Sequence, residues 1–198
     1  MLHPHSIAER TKAYIVMVLM HSIKEFVPHR CESNCLAPKW TPPSYGWLML
    51  NVDAATFKDP SRIRIGGVIR DHLGDFKMSF CKKMHRVEDP ELAEILAIRC
   101  GVLFAKEQNL QHIIVASDCQ NIIKKIQSPH LDRSHVGAVV CDVKNFVREV
   151  SVSFMYAKRS CNEAAHVMAR LADQFSVSVW CNEAPNAIRT LLCNDTLR

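Results

Sequence analysis

Asp53 lies in the run Leu48-Met49-Leu50-Asn51-Val52-Asp53-Ala54-Ala55, an apolar, strand-like stretch in which a carboxylate is out of place. Strands disfavour Asp, and this run has no turn chemistry to explain one. A lone ionised carboxylate in such surroundings costs several kcal/mol unless something cationic or hydrogen-bonding meets it, so a metal ion or a positioned partner is the first expectation. Two other acids stand at the ends of elements: Glu94, between the small residues Ala93 and Ala97 near a helix start, and Asp118, directly after a short β-branched run. Carboxylates gathered on a sheet rim bind magnesium, a hard cation that takes oxygen ligands and keeps waters for substrate phosphates. Two such ions about 4 Å apart can clamp the attacking and leaving oxygens of a phosphodiester. The chemistry open to these three acids together is metal-assisted phosphodiester hydrolysis.

Each acid also has a plainer reading. Asp118 follows Ser117 and precedes an apolar helical run, where it could serve as an N-cap. Glu94 sits in the first turns of a helix, where the dipole favours negative charge. Asp53 is the hardest to explain away.

The elements that must position them follow from periodicity. Residues 47–57 alternate as a strand, with Leu48, Leu50 and Val52 on one face and Met49, Asn51 and Asp53 on the other. Two more strand-like runs, 63–70 and 76–82, flank the turn-rich Asp71-His72-Leu73-Gly74-Asp75, which reads as a hairpin. Gly66 and Gly67 inside the second run imply a bulge or a close backbone approach. The period then becomes helical after Asp89-Pro90, an N-cap followed by proline at the first helical position. A short strand over 112–116, a helix through Ile122 and Ile126, a helix over 134–150, a strand through Val152, Phe154 and Tyr156 and a helix over 162–175 complete the pattern. Three strands in a meander followed by alternating helices and strands predict an α/β fold, a mixed five-stranded sheet flanked by helices. The main domain is expected over 40–175, with a C-terminal tail, 176–198, packing back on it. Trp180 and that tail read as packing rather than as a base-stacking platform.

Ahead of the domain, residues 6–26 keep a mostly helical apolar spacing, closed by Pro28, and 29–45 carry Pro38, Pro42 and Pro43 as an extended linker. Residues 1–39 are therefore expected to be an N-terminal helical extension and linker. His29, Cys31 and Cys35 could be part of a zinc site, but irregular spacing with no second pair nearby favours a chance arrangement. The apolar block at 15–20 is too short to span a membrane, and no membrane partner is expected.

The chain has 198 residues, 48% of them hydrophobic, enough for one good core. A net charge of +5 is compatible with a polyanionic partner without demanding one. Nine cysteines are scattered singly, which argues against a secreted disulfide scaffold and for a reducing, intracellular compartment, nucleus or cytoplasm, with an organelle left open. A monomer is the default.

Several motifs in fixed order then point to a family. Asn51-Val52-Asp53-Ala54-Ala55, Ile65-Gly66-Gly67-Val68-Ile69-Arg70-Asp71-His72-Leu73-Gly74, Glu91-Leu92-Ala93-Glu94-Ile95-Leu96-Ala97-Ile98, Ala116-Ser117-Asp118-Cys119 and Arg159-Ser160-Cys161-Asn162-Glu163-Ala164-Ala165-His166-Val167-Met168-Ala169-Arg170-Leu171-Ala172 resemble the type 1 ribonuclease H domain. They look most like the plant branch associated with non-LTR retrotransposon proteins. The resemblance implies a ribonuclease H-like fold and metal-dependent endonucleolytic cleavage of the RNA strand of RNA–DNA hybrids, with Asp53, Glu94 and Asp118 holding Mg2+ or Mn2+. It also implies two ions.

Three departures qualify it. His166 stands where the family has a fourth acid, so the second ion is expected to be weakly held. Ala54 replaces the usual glycine, and Tyr156 lies near where related domains often carry a histidine. His166 also has a simpler reading, as a half-buried helix residue, and Asp173 could replace it only if the helix shifted by about 10 Å. Asn51, Lys124, Lys125, Lys158, Arg159 and Asn162 are candidate nucleic-acid contacts, and Lys82, Lys83 and Arg86 could extend the same phosphate path, although scattered Lys and Arg are more often a solvated face. The alternative function is a transposon-derived nucleic-acid-binding or protein-interaction module with an impaired metal site. A proofreading-type exonuclease would need an acid at position 55, where Ala55 stands.

Overall fold

The computed structural model describes residues 39–56, 62–85, 87–149, 151–172, 174 and 177–196. The expectations for the N-terminal helix, for His29, Cys31 and Cys35, and for Arg86 and Asp173 fall outside the described residues.

The sheet is built around β1 (Leu48–Thr56), which pairs antiparallel with β2 (Arg62–Arg70) on one side and parallel with β4 (Ile113–Ser117) on the other. Beyond β2 lies β3 (Phe76–His85), and beyond β4 lies β5 (Val152–Tyr156). The hairpin between β2 and β3 is closed by Asp71, whose carboxylate accepts from the backbone N–H groups of Leu73 and Asp75. The expected five strands are all present. A sixth, β6 (Val177–Cys181), extends the sheet by pairing antiparallel with β3, giving the order β5-β4-β1-β2-β3-β6. The signal for it is in the sequence: Val177 and Val179 alternate with Ser178 and Trp180, the period of an edge strand.

Helices cover both faces. On one, α1 (Pro90–Glu107) lies on β1, β2 and β4, backed by α2 (Gln120–Gln127) and α3 (His135–Phe146). Asp89 caps α1 through Glu91 N at 2.9 Å, with Pro90 entering the first turn, as the sequence predicts. Leu50, Val52, Ile65, Ile95, Ile98, Ile113 and Val115 are fully buried between α1 and the sheet. On the other face, α4 (Glu163–Leu171) crosses β1, β2 and β3, and α5 (Asn186–Thr196) packs on α4. There Val68, Cys81, Met168, Ile188 and Leu192 form a second core, with Trp180 half-buried against it.

Gly66 lets α4 come this close. A Cβ at Gly66 would lie 2.1 Å from the backbone nitrogen of Ala169, and one at Gly67 would lie 2.2 Å from the Phe80 ring. Gly66 therefore marks a close approach of helix to strand and Gly67 leaves room for the Phe80 ring of β3; neither sits at a bulge, since the register slips only at Ile69/Arg70.

Candidate active site

β1 carries Asp53 towards α4, where the side chain is 2% exposed. Glu94 projects from the second turn of α1, and Asp118 follows the last residue of β4, parallel to β1. One oxygen from each of these three carboxylates can be chosen so that all lie within 4.8 Å of one another. Asp118 is not the N-cap of α2: that position belongs to Cys119, which makes no side-chain cap bond, while Ser117 Oγ accepts from Cys119 N.

The cluster has more negative charge than its surroundings balance. Glu94 Oε2 is buried with no hydrogen-bond partner among the described residues. Burial first, then the charges of Asp53 and Asp118, push the Glu94 carboxyl up to about 8. Burial also holds Asp53 above its ordinary range, with Asp118 adding to the rise and His166 and Arg159 opposing it. An orphaned buried carboxylate oxygen among three oxygen donors fits a hard divalent cation.

His166, one turn into α4, meets the cluster directly: Nδ1 lies 2.7 Å from Asp53 Oδ2, close enough for the ring N–H to donate. Arg159, in a single helical turn (Arg159–Cys161) before α4, reaches Asp118 Oδ2 with Nη1 at 3.2 Å. Its Nη2 lies 3.3 Å from Nδ1 and 3.4 Å from Nε2 of His166, so the guanidinium rests against the ring. Sequence reasoning gave Arg159 only a weak nucleic-acid role; its partners are 41 and 7 residues away along the chain, and only the fold joins them.

Asn51 and Asn162, expected as nucleic-acid contacts, are buried and committed inside the protein. Asn51 Oδ1 accepts from Trp40 Nε1 at 2.9 Å, and its Nδ2 donates to Asn162 Oδ1 at 3.0 Å. Asn162 Nδ2 in turn donates to Val52 O at 2.9 Å. The pair pins the start of α4 to β1 beside Asp53, which sets where His166 and Arg159 stand. Lys125 is tied to Glu91 at 2.7 Å and Asp132 at 3.6 Å. Lys124, Lys158 and Lys82 are exposed, Lys83 half-buried. Ala54 is partly buried against the first core, and Tyr156 is exposed at the end of β5.

The fold is that of ribonuclease H. The Halobacterium salinarum RNase H1 structure superposes with a TM-score of 0.55 at 19% identity, over 65% of this chain and 98% of that one. LC11-RNase H1, solved in complex with an RNA/DNA hybrid, does so with 0.55 at 14% identity, over 62% and 94%. A provisionally named ribonuclease H protein of Arabidopsis thaliana is 27% identical over 162 residues, 80% of this chain but 26% of that protein, so the chain spans about a quarter of that relative. The chain belongs to the reverse transcriptase-like family, whose model matches residues 51–172, a span holding all three acids and His166.

Proposed function

We propose that this chain is a metal-dependent ribonuclease that cuts the RNA strand of RNA–DNA hybrids. The observation that carries the reading is the Asp53–Glu94–Asp118 group with its unpartnered Glu94 oxygen. These residues would hold Mg2+ or Mn2+, which when bound supplies positive charge to the phosphoryl oxygens as they become more negative. The chain's own residues do the positioning. The Asn51–Asn162 pair fixes strand to helix, His166 orients the Asp53 carboxylate, and Arg159 brings a permanent cation to the mouth of the site. The RNase H1 solved with a hybrid shares this fold and supports the choice of substrate.

Incubating the purified chain with a labelled hybrid and Mg2+ or Mn2+ tests this. Cleavage that Asp53→Asn abolishes is expected; no cleavage in either metal, or an Asp53→Asn variant as active as the parent, overturns it.

One observation favours a second reading, a nucleic-acid-binding module with little turnover: a histidine stands where a fourth carboxylate is expected, and it is bonded to Asp53. Hybrid binding without cleavage, with activity gained by His166→Asp, would select that reading.

A further inference from the structure

We infer that Arg159 is the second cation of this site, so that the Asp53–Glu94–Asp118 group holds one divalent ion and Arg159 supplies the remaining positive charge towards a phosphodiester. The inference rests on the reading just given and replaces the expectation of two ions with one ion and one guanidinium.

Charge is the first argument. Three ionised carboxylates leave one negative charge when a single divalent ion is bound, and the guanidinium closes the balance. A histidine in place of a fourth carboxylate adds no negative charge with which to hold a second ion. That ion would also have to sit beside a guanidinium that does not deprotonate in proteins.

Geometry is the second. The space next to His166 is shared: Asp53 lies 2.7 Å from Nδ1, and Arg159 Nη2, at 3.3 and 3.4 Å from the two ring nitrogens, covers a face of the ring. Arg159 bridges from there to Asp118 at 3.2 Å. Its backbone is not free to drift, because the turn that carries it is held on β1 by Asn51 Nδ2 donating to Cys161 O at 3.4 Å and by the Asn162 bond to Val52 O.

Exposure is the third. The Arg159 side chain is 68% exposed although it is bonded to a carboxylate that is 11% exposed. The side chain is therefore open to anything entering the site, and a planar guanidinium matches two oxygens of a phosphate better than an ammonium does.

The experiment counts ions. Mn2+ alone is titrated into the metal-free full chain, free Mn2+ is followed by electron spin resonance, and hybrid affinity is measured in parallel for the parent, Arg159→Ala and Arg159→Lys. Circular dichroism and thermal melting confirm that the exposed substitutions leave the fold intact.

One Mn2+ per parent chain is expected. Arg159→Ala should bind that ion roughly tenfold more tightly, because a repelling charge is gone, yet bind hybrid roughly tenfold more weakly. Arg159→Lys should restore the parent's Mn2+ affinity but only part of the hybrid affinity. Two Mn2+ per parent chain, none, or a Mn2+ affinity indifferent to Arg159→Ala overturns the inference. A chain that cleaves no hybrid but binds one ion with this response refutes the hydrolytic reading and upholds the inference; a chain that cleaves but binds two ions does the reverse.

Discussion

Arg70 and Asp53 are buried charges on neighbouring strands, and each is 1% exposed. Arg70 in β2 lies 3.4 Å over the Trp40 ring and 2.7 Å from Asp195 of α5. Burial alone would lower its pKa, and Asp195 opposes that. One cation meets one anion and one aromatic face, and the group joins the segment before β1 to the last helix. Around Asp53 three carboxylates share one arginine and one histidine, and a buried oxygen of Glu94 has no partner. Burial of a charge is common to both places. Each place keeps one buried atom without a hydrogen-bond partner among the described residues, Arg70 Nε and Glu94 Oε2. The difference is balance: the Arg70 pair is closed in charge, whereas the Asp53 cluster has an excess that no other described side chain offsets.

The comparison breaks most visibly at the closed end. Arg70→Met should destabilise the chain by about 3 kcal/mol, since it strands Asp195 and leaves the Trp40 face uncovered. Urea unfolding checks this, and a loss within about 0.5 kcal/mol would mean that Arg70 is not a structural tie.

Gly66→Ala tests the element that brings His166 to Asp53. Its Cβ would meet backbone, not a flexible side chain, so α4 must move. A destabilisation of about 2 kcal/mol is expected, with loss of any hybrid cleavage, measured by thermal melting and by the labelled-hybrid assay.

Glu94→Gln acts in the opposite direction. With no metal, Glu94 has an ordinary value of 4.5 when unfolded and about 8 when folded. The folded protein therefore holds a proton that the unfolded chain releases as pH rises between those values, and stability falls across that window and then levels off. The Gln variant lacks this slope. It should match the parent near pH 4.5 and exceed it by about 2 kcal/mol at pH 6, the gap widening towards pH 8, as read from urea unfolding in chelator. Mg2+ should stabilise the parent more at pH 8 than at pH 6, because the bound ion requires the carboxylate form. A variant that is less stable than the parent at pH 8 would show that Glu94 is an ordinary structural acid.

Much of this was legible from residue type and period. An Asp in an apolar strand, a Gly pair where neighbours crowd the strand, and Asp89-Pro90 before a helical run each have a local cause, and the structure places them accordingly. Glu94 and Asp118 were ambiguous locally, because a helix start or a cap accounts for an acid as well as a metal does; motif order brought them forward. What could not be read was direction. Asn51 and Asn162 have amides suited to nucleic acid, but both turn inward onto each other and Val52. Arg159 reads as one more basic residue until the fold sets it against Asp118. Arg70 and Asp195 are 125 residues apart, and nothing in either local pattern announces the pair.

The most direct test of the account is cleavage of an RNA–DNA hybrid labelled on both strands, with Mg2+ or Mn2+, by the parent and by Asp53→Asn. The account predicts that the parent cuts the RNA strand alone, that chelator stops it, and that the variant loses at least about a thousandfold in rate, about 4 kcal/mol of barrier. Cleavage of both strands alike, cleavage in chelator, or an Asp53→Asn variant that keeps the parent's rate would contradict it.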